Sequence, residues 1–148
     1  MLRALHLTPD FAIAGQIDAA DVAEIAASGF RAIINNRPDD EVPGQPCCAD
    51  IAQAAIEHGL GYYPIPVHPG PLDLETLLAT SAAIDACQGP VLAFCRSGAR
   101  STMVWAAARA LAGDAPEQLC AAAANAGYDL TPMIDSLRAL AGSQHTPS

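Results

Sequence analysis

Short apolar runs alternate with alanine-rich helical stretches along nearly the whole sequence, and most of the helical stretches stop at a glycine. "RALHLT" and "FAIAG" read as strands, "DAADVAEIAASG" as a helix with Asp18 as N-cap and Gly29 as its stop, and "FRAIINN" as a buried strand. A polar loop, "RPDDEVPGQP", follows, and the order then repeats. "ADIAQAAIEHG" is a helix closed by Gly59, "YYPIPV" a strand, "HPGP" a loop, and "DLETLLATSAAIDAC" a helix capped by Asp73. "PVLAF" is the next strand and "STMVWAAARALAG" the next helix. Two more helices, "DAPEQLCAAAANAG" and "TPMIDSLRALAG", carry Asp114 and Thr131 as caps and Pro132 in the first turn. Strands joined through helices pair in parallel, so the fold class is α/β: a central, mainly parallel sheet flanked by helices. Residues 1–142 read as one catalytic domain, and "SQHTPS" at 143–148 as a frayed tail. In such sheets ligands bind beyond the carboxyl ends of the strands, which selects the loops at 36–46, 68–72 and 95–100.

Composition narrows the function. The chain has 148 residues, 51% apolar and 16% charged, enough to bury a core without disulfides or metals. No apolar run is long enough to span a bilayer, and "MLRALHLTPD" lacks a secretory signal, so the expected location is the cytoplasm. Seven Arg, no Lys and sixteen acidic residues give a charge of -9, which excludes a nucleic-acid or anionic-membrane partner. The odd count of five cysteines, the absence of C-x-x-C and the scattered histidines at 6, 58, 68 and 145 argue against a disulfide framework or a zinc site. No metal or cofactor is expected. No dimer surface can be assigned.

Two of the seven arginines, Arg96 and Arg100, lie within five residues of Cys95 in "VLAFCRSGARST". A strand that ends in a cysteine and turns directly into a helix points backbone N–H groups at one spot, with the positive end of the helix dipole behind them. A thiol held there loses its proton readily and becomes a nucleophile. Gly98 suits the turn, the planar fork of Arg100 suits an oxyanion, and Ser101 can cap the helix and donate to the thiolate. A cysteine at a strand end is more often a small core residue. That reading suits Cys87 and Cys120, on apolar helix faces, and also Cys47 and Cys48 at a helix start, but it leaves the arginines beside Cys95 unexplained.

"GFRAIINNRPDDEVPGQP", "YYPIPVHPG" and "GPVLAFCRSGARST", in that order, resemble the β-lactamase-hydrolase-like family, whose domain is classed as phosphatase-like. The similarity runs from about Leu7 to about Leu140. The resemblance implies a dual-specificity or tyrosine-phosphatase-like fold with Cys95 as nucleophile, the 96–99 backbone (Arg96, Ser97, Gly98, Ala99) as cradle and Arg100 as oxyanion-binding arginine. Three departures from the phosphatase pattern stand out. Four residues, not five, separate Cys95 from Arg100, which resembles the "CRSGxRS" loop of rhodanese sulfurtransferases. Phe94 stands where phosphatases place His. His68 stands where they place an Asp general acid.

Asp39 and Asp40 are the other acid candidates, although acidic residues on a polar loop are commonly plain solvated charge. Asn36 and Arg37 end a strand, where they either pin the loop or contact substrate; substrate contact is the reading taken. The expected activity is sulfur transfer through a Cys95 persulfide, from thiosulfate or a persulfide to a thiol such as glutathione, with Arg96 and Arg100 gripping the donor. The alternative is a cysteine phosphatase acting through a Cys95 phosphoenzyme. Arsenate reduction would need a resolving thiol, which Cys47 and Cys48 do not obviously supply. A purely anion-sensing domain would not require the complete Cys95–Arg100 motif.

Overall fold

The computed structural model describes residues 3–142 apart from Pro69 and Gln88; the tail expected at 143–148 lies outside the described residues. The strands are β1 (Leu5–Thr8), β2 (Phe11–Ala14), β3 (Ala32–Asn35), β4 (Gly61–Pro64) and β5 (Val91–Phe94). The helices are α1 (Asp21–Ala27), α2 (Cys48–Glu57), α3 (Leu74–Ala86), α4 (Ala99–Leu111), α5 (Pro116–Asn125) and α6 (Ile134–Gly142), with a 3-10 turn at Thr131–Met133 before α6. They form a five-stranded sheet in the order β1-β2-β5-β3-β4. β2, β5, β3 and β4 run parallel, and β1 lies antiparallel on the β2 edge.

Alternation along the central strands sorts side chains to two cores, as the pleat requires. Ala12, Ile33, Leu92 and Phe94 pack with Val22, Ile25, Ile51 and Ala55 on the α1–α2 face. Ile13, Ile34 and Ala93 pack with Leu77, Val104, Trp105, Leu119 and Leu137 on the opposite face. Phe94, where a phosphatase-like histidine is absent, is a fully buried core residue.

Strand register sets the site. Ala14, Phe94 and Asn35 stand level across β2, β5 and β3. Cys95 therefore leaves the sheet between Gly15 and Asn36, its N–H donating to Ala14 O at 3.4 Å. "YYPIPV" is shorter as a strand than its sequence suggests. Pairing nevertheless continues through Ile65 N–H to Asn35 O and Val67 N–H to Asn36 O, while Pro64 and Pro66 fall at the alternate positions of an edge strand, where no N–H is needed.

Helix starts also differ in detail. Asp73 caps α3 through Thr76 N–H as expected. Asp18 begins a turn ahead of α1 by exchanging bonds with Asp21. Asp114 binds Arg109 instead of capping α5, and the Thr131 N–H donates to Asp129 Oδ1 while its side chain caps nothing. At Asp114 and Thr131 a nearby polar group outcompetes the capping geometry.

Candidate active site

Cys95 is completely buried at the end of β5. The next residues turn through Gly98, which sits at φ 89° as the N-cap of α4, a conformation that glycine adopts without strain. Loop carbonyls are bound facing outward: Arg96 O accepts from Gln16 N–H at 3.3 Å, and Ser97 O accepts from Tyr128 Oη at 2.7 Å. The N–H groups are thereby free to turn inward, and Gly98 N–H donates to Cys95 Sγ at 3.1 Å. Burial by itself pushes the thiol up. Donation from the Ser101 and Ser97 backbones, the Ser101 hydroxyl and Gly98 N–H outweighs it, so the Cys95 pKa lies below the ordinary thiol value.

The loop departs from expectation at Ser101 and Ala99. Ser101 lies inside α4, in its first turn, and Gly98 takes the capping position because the loop must reverse there. Its hydroxyl, buried and without another hydrogen-bond partner, remains available to the sulfur. Ala99 N–H faces Ser97 Oγ at 3.4 Å instead of the cradle, and the Arg96 side chain is exposed.

Arg100 is held by a residue the sequence reading missed. Its Nη1 and Nη2 donate to the two carboxylate oxygens of Glu41 at 2.7 and 2.8 Å, and Nη1 also donates to Val67 O at 2.9 Å. This end-on pairing leaves the Nε–Nη2 edge of the guanidinium for the thiol side, where Cys95 helps to raise the Arg100 pKa after the larger effect of Glu41. Glu41 also accepts from Arg37 Nε at 2.9 Å. The Arg100 hydrogen bond, opposed by desolvation and reinforced by Arg37, brings the Glu41 pKa down to about 2. Only its spacing four residues after Arg37 hinted at it; its pairing with Arg100 joins loops far apart in sequence.

Asn36 is buried, and its Nδ2 donates to Ile65 O at 2.9 Å, so it pins the β4 extension instead of facing substrate. Arg37 pins Glu41 and Gln16, the latter through Nη1 to Oε1 at 2.9 Å. Asp39 accepts from Cys48 N–H at 2.9 Å and caps α2; Asp40 is exposed at φ 61°. His68 is exposed, directly after the carbonyl that receives Arg100. Tyr128, also unforeseen, closes the loop from the α5–α6 connection; a Cβ on Gly98 would come within 2.5 Å of its hydroxyl. Among the described residues no group of three or more His, Cys, Asp or Glu side chains gathers to hold a metal, and no helix is long and apolar enough to cross a membrane.

A mainly parallel sheet, a buried cysteine at the end of its central strand, inward N–H groups and an arginine in the first turn of the next helix make up a cysteine-phosphatase-like fold. The chain belongs to the family described as Beta-lactamase hydrolase-like protein, phosphatase-like domain, whose profile matches residues 2–112. A Beta-lactamase hydrolase-like protein of Agrobacterium fabrum is 35% identical over 112 residues, 76% of this chain and 26% of that protein. One from Xylella fastidiosa is 33% identical over 130 residues, 87% of this chain and 30% of that protein. The chain thus spans between a quarter and a third of these relatives' length. A Neisseria meningitidis protein described as a candidate phosphatase superposes with a TM-score of 0.79 at 31% identity, covering 92% of this chain and 96% of that one. Kinase-associated phosphatase, at 14% identity and a TM-score of 0.76, shares the fold over 100% of this chain and 97% of its own.

Proposed function

We propose that the chain hydrolyses phosphate monoesters through a Cys95 phosphoenzyme. The observation that carries this reading is the buried Cys95 thiol, facing inward N–H groups and the open edge of Arg100. The thiolate attacks phosphorus and the ester P–O bond breaks. The loop N–H groups and the Nε–Nη2 edge of Arg100 hold the phosphoryl oxygens as charge moves onto the leaving oxygen. Water then attacks phosphorus, the S–P bond breaks, and the thiolate returns with inorganic phosphate released. A Pseudomonas aeruginosa protein of the same fold, TpbA, forms a complex with phosphotyrosine at 18% identity and a TM-score of 0.61, covering 95% of each chain, which supports a phosphate-bearing substrate.

The leaving group receives little help. Glu41 is ionised above about pH 2 and tied to two arginines, and Asp39 is committed to Cys48 N–H. His68 remains the proposed proton donor, and esters whose leaving oxygen departs as a phenolate are the favoured substrates. The same shortage favours a second reading: sulfite leaves thiosulfate without a proton, and the four-residue span from Cys95 to Arg100 suits a sulfur atom carried on Cys95 for delivery to a thiol.

One experiment separates them. p-Nitrophenyl phosphate, and in parallel thiosulfate with cyanide, are given to the wild type, Cys95→Ser and Arg100→Lys. Phosphate release that is lost in both variants supports the phosphatase. Thiocyanate without phosphate release overturns it in favour of sulfur transfer, and activity surviving in Cys95→Ser overturns both readings.

A further inference from the structure

Arg37 carries an unmet pair of N–H bonds beside the cradle. Its side chain is 4% exposed and its Nη2 has no hydrogen-bond partner, which is costly for a buried cation. The cause is geometric. Arg100 takes both Glu41 oxygens end-on, and Arg37 shares only Oε1, through Nε. One carboxylate cannot fill the end of one guanidinium and the Nε–Nη2 edge of another, so Nη2 is the group left over.

Its place in the plane is fixed by its neighbours. Nη2 lies between Nε, which meets Glu41, and Nη1, which meets Gln16. Both partners touch the cradle: Glu41 holds Arg100, and Gln16 N–H binds Arg96 O. Glu41, 22% exposed, is the solvent-facing member of its pair with Arg37.

We infer that the Nε–Nη2 edge of Arg37 is a second oxyanion subsite, and that the favoured ligand carries two neighbouring anionic groups, one in the cradle and one on Arg37 in place of Glu41. The inference rests on the cradle being an anion site, and it deepens that reading by naming the substrate class: phosphate esters with an adjacent phosphate or carboxylate. A second oxyanion that is not tied to Arg100 meets both N–H groups of the fork, which Glu41 cannot do.

The test compares methylphosphonate with methylenediphosphonate, neither of which can be hydrolysed at its P–C bonds by the proposed reaction. Binding is measured by calorimetry to the wild type, Arg37→Lys and Arg37→Gln, with circular dichroism to check folding. The diphosphonate is expected to bind about tenfold or more tightly than the monophosphonate to the wild type, with the advantage lost in Arg37→Lys, which keeps the charge but not the fork. Equal binding of the two anions by the wild type overturns the subsite and leaves the cradle standing, and that comparison needs no variant. A preference that persists in folded Arg37→Lys and Arg37→Gln also overturns it. Binding of neither anion removes the cradle reading and this inference with it.

Discussion

Cys48, at the start of α2, and Cys95, at the head of the loop that leads into α4, are built differently. Cys48 is the first residue of α2, but Asp39 already occupies its N–H, and its Sγ lies 2.7 Å from Tyr62 Oη, whose oxygen accepts from Asn35 Nδ2. Burial, then Cys48 itself, push the Tyr62 hydroxyl up. At α4 no carboxylate caps the helix. Gly98 reverses the chain, the loop carbonyls are bound on the outside, and N–H groups converge on Cys95. A helix N-terminus therefore activates a thiol only where the preceding loop directs donors at it and no side chain has taken them.

Substitution of each cysteine tests that contrast most severely. Cys95→Ser is expected to lower p-nitrophenyl phosphate turnover about a thousandfold or more, whereas Cys48→Ser stays within about twofold of the wild type. Comparable losses in steady-state rates would break the comparison.

Glu41→Gln probes the support of the cradle. As a positioning residue acting through Arg100, it is expected to lower kcat about tenfold with a smaller change in KM. It has a pH signature too. The Glu41 pKa is depressed from 4.5 to about 2, so its pairing stabilises the fold fully above pH 4.5 and that stability is lost as pH falls toward 2. Thermal unfolding of Glu41→Gln over this window is expected to fall less steeply than that of the wild type; parallel curves would remove Glu41 from the account.

The smallest effects concern the loop's outer fastening. Gly98→Ala, with φ at 89° and a Cβ driven against Tyr128 Oη, is expected to cost about 1–3 kcal/mol in denaturant unfolding. Tyr128→Phe, which loses only the bond to Ser97 O, is expected to cost about 1 kcal/mol. A larger loss for Tyr128→Phe than for Gly98→Ala would mean that the fastening, not the backbone reversal, shapes the cradle.

Much of this was legible in the chain. Apolar runs of strand length separated by glycine-stopped helices imply a parallel sheet, because period and chirality act locally. A cysteine, a glycine and an arginine after such a strand single out one strand-to-helix loop by covalent spacing alone, and Cys95, Gly98 and Arg100 lie between the end of β5 and the first turn of α4. The roles of Asn36 and Asp39 were not legible, since whether such a group contacts a ligand or the protein depends on what the fold brings opposite it. Asn36 meets Ile65 O and Asp39 meets Cys48 N–H.

The sequence by itself determined the sheet-and-helix order and the strand-to-helix loop that carries Cys95, because both follow from interactions among near neighbours. Only the tertiary structure decided how the arginines are held. Glu41 reaches Arg100 across 59 positions and Tyr128 reaches Ser97 across 31, and no local pattern encodes a partner at that range.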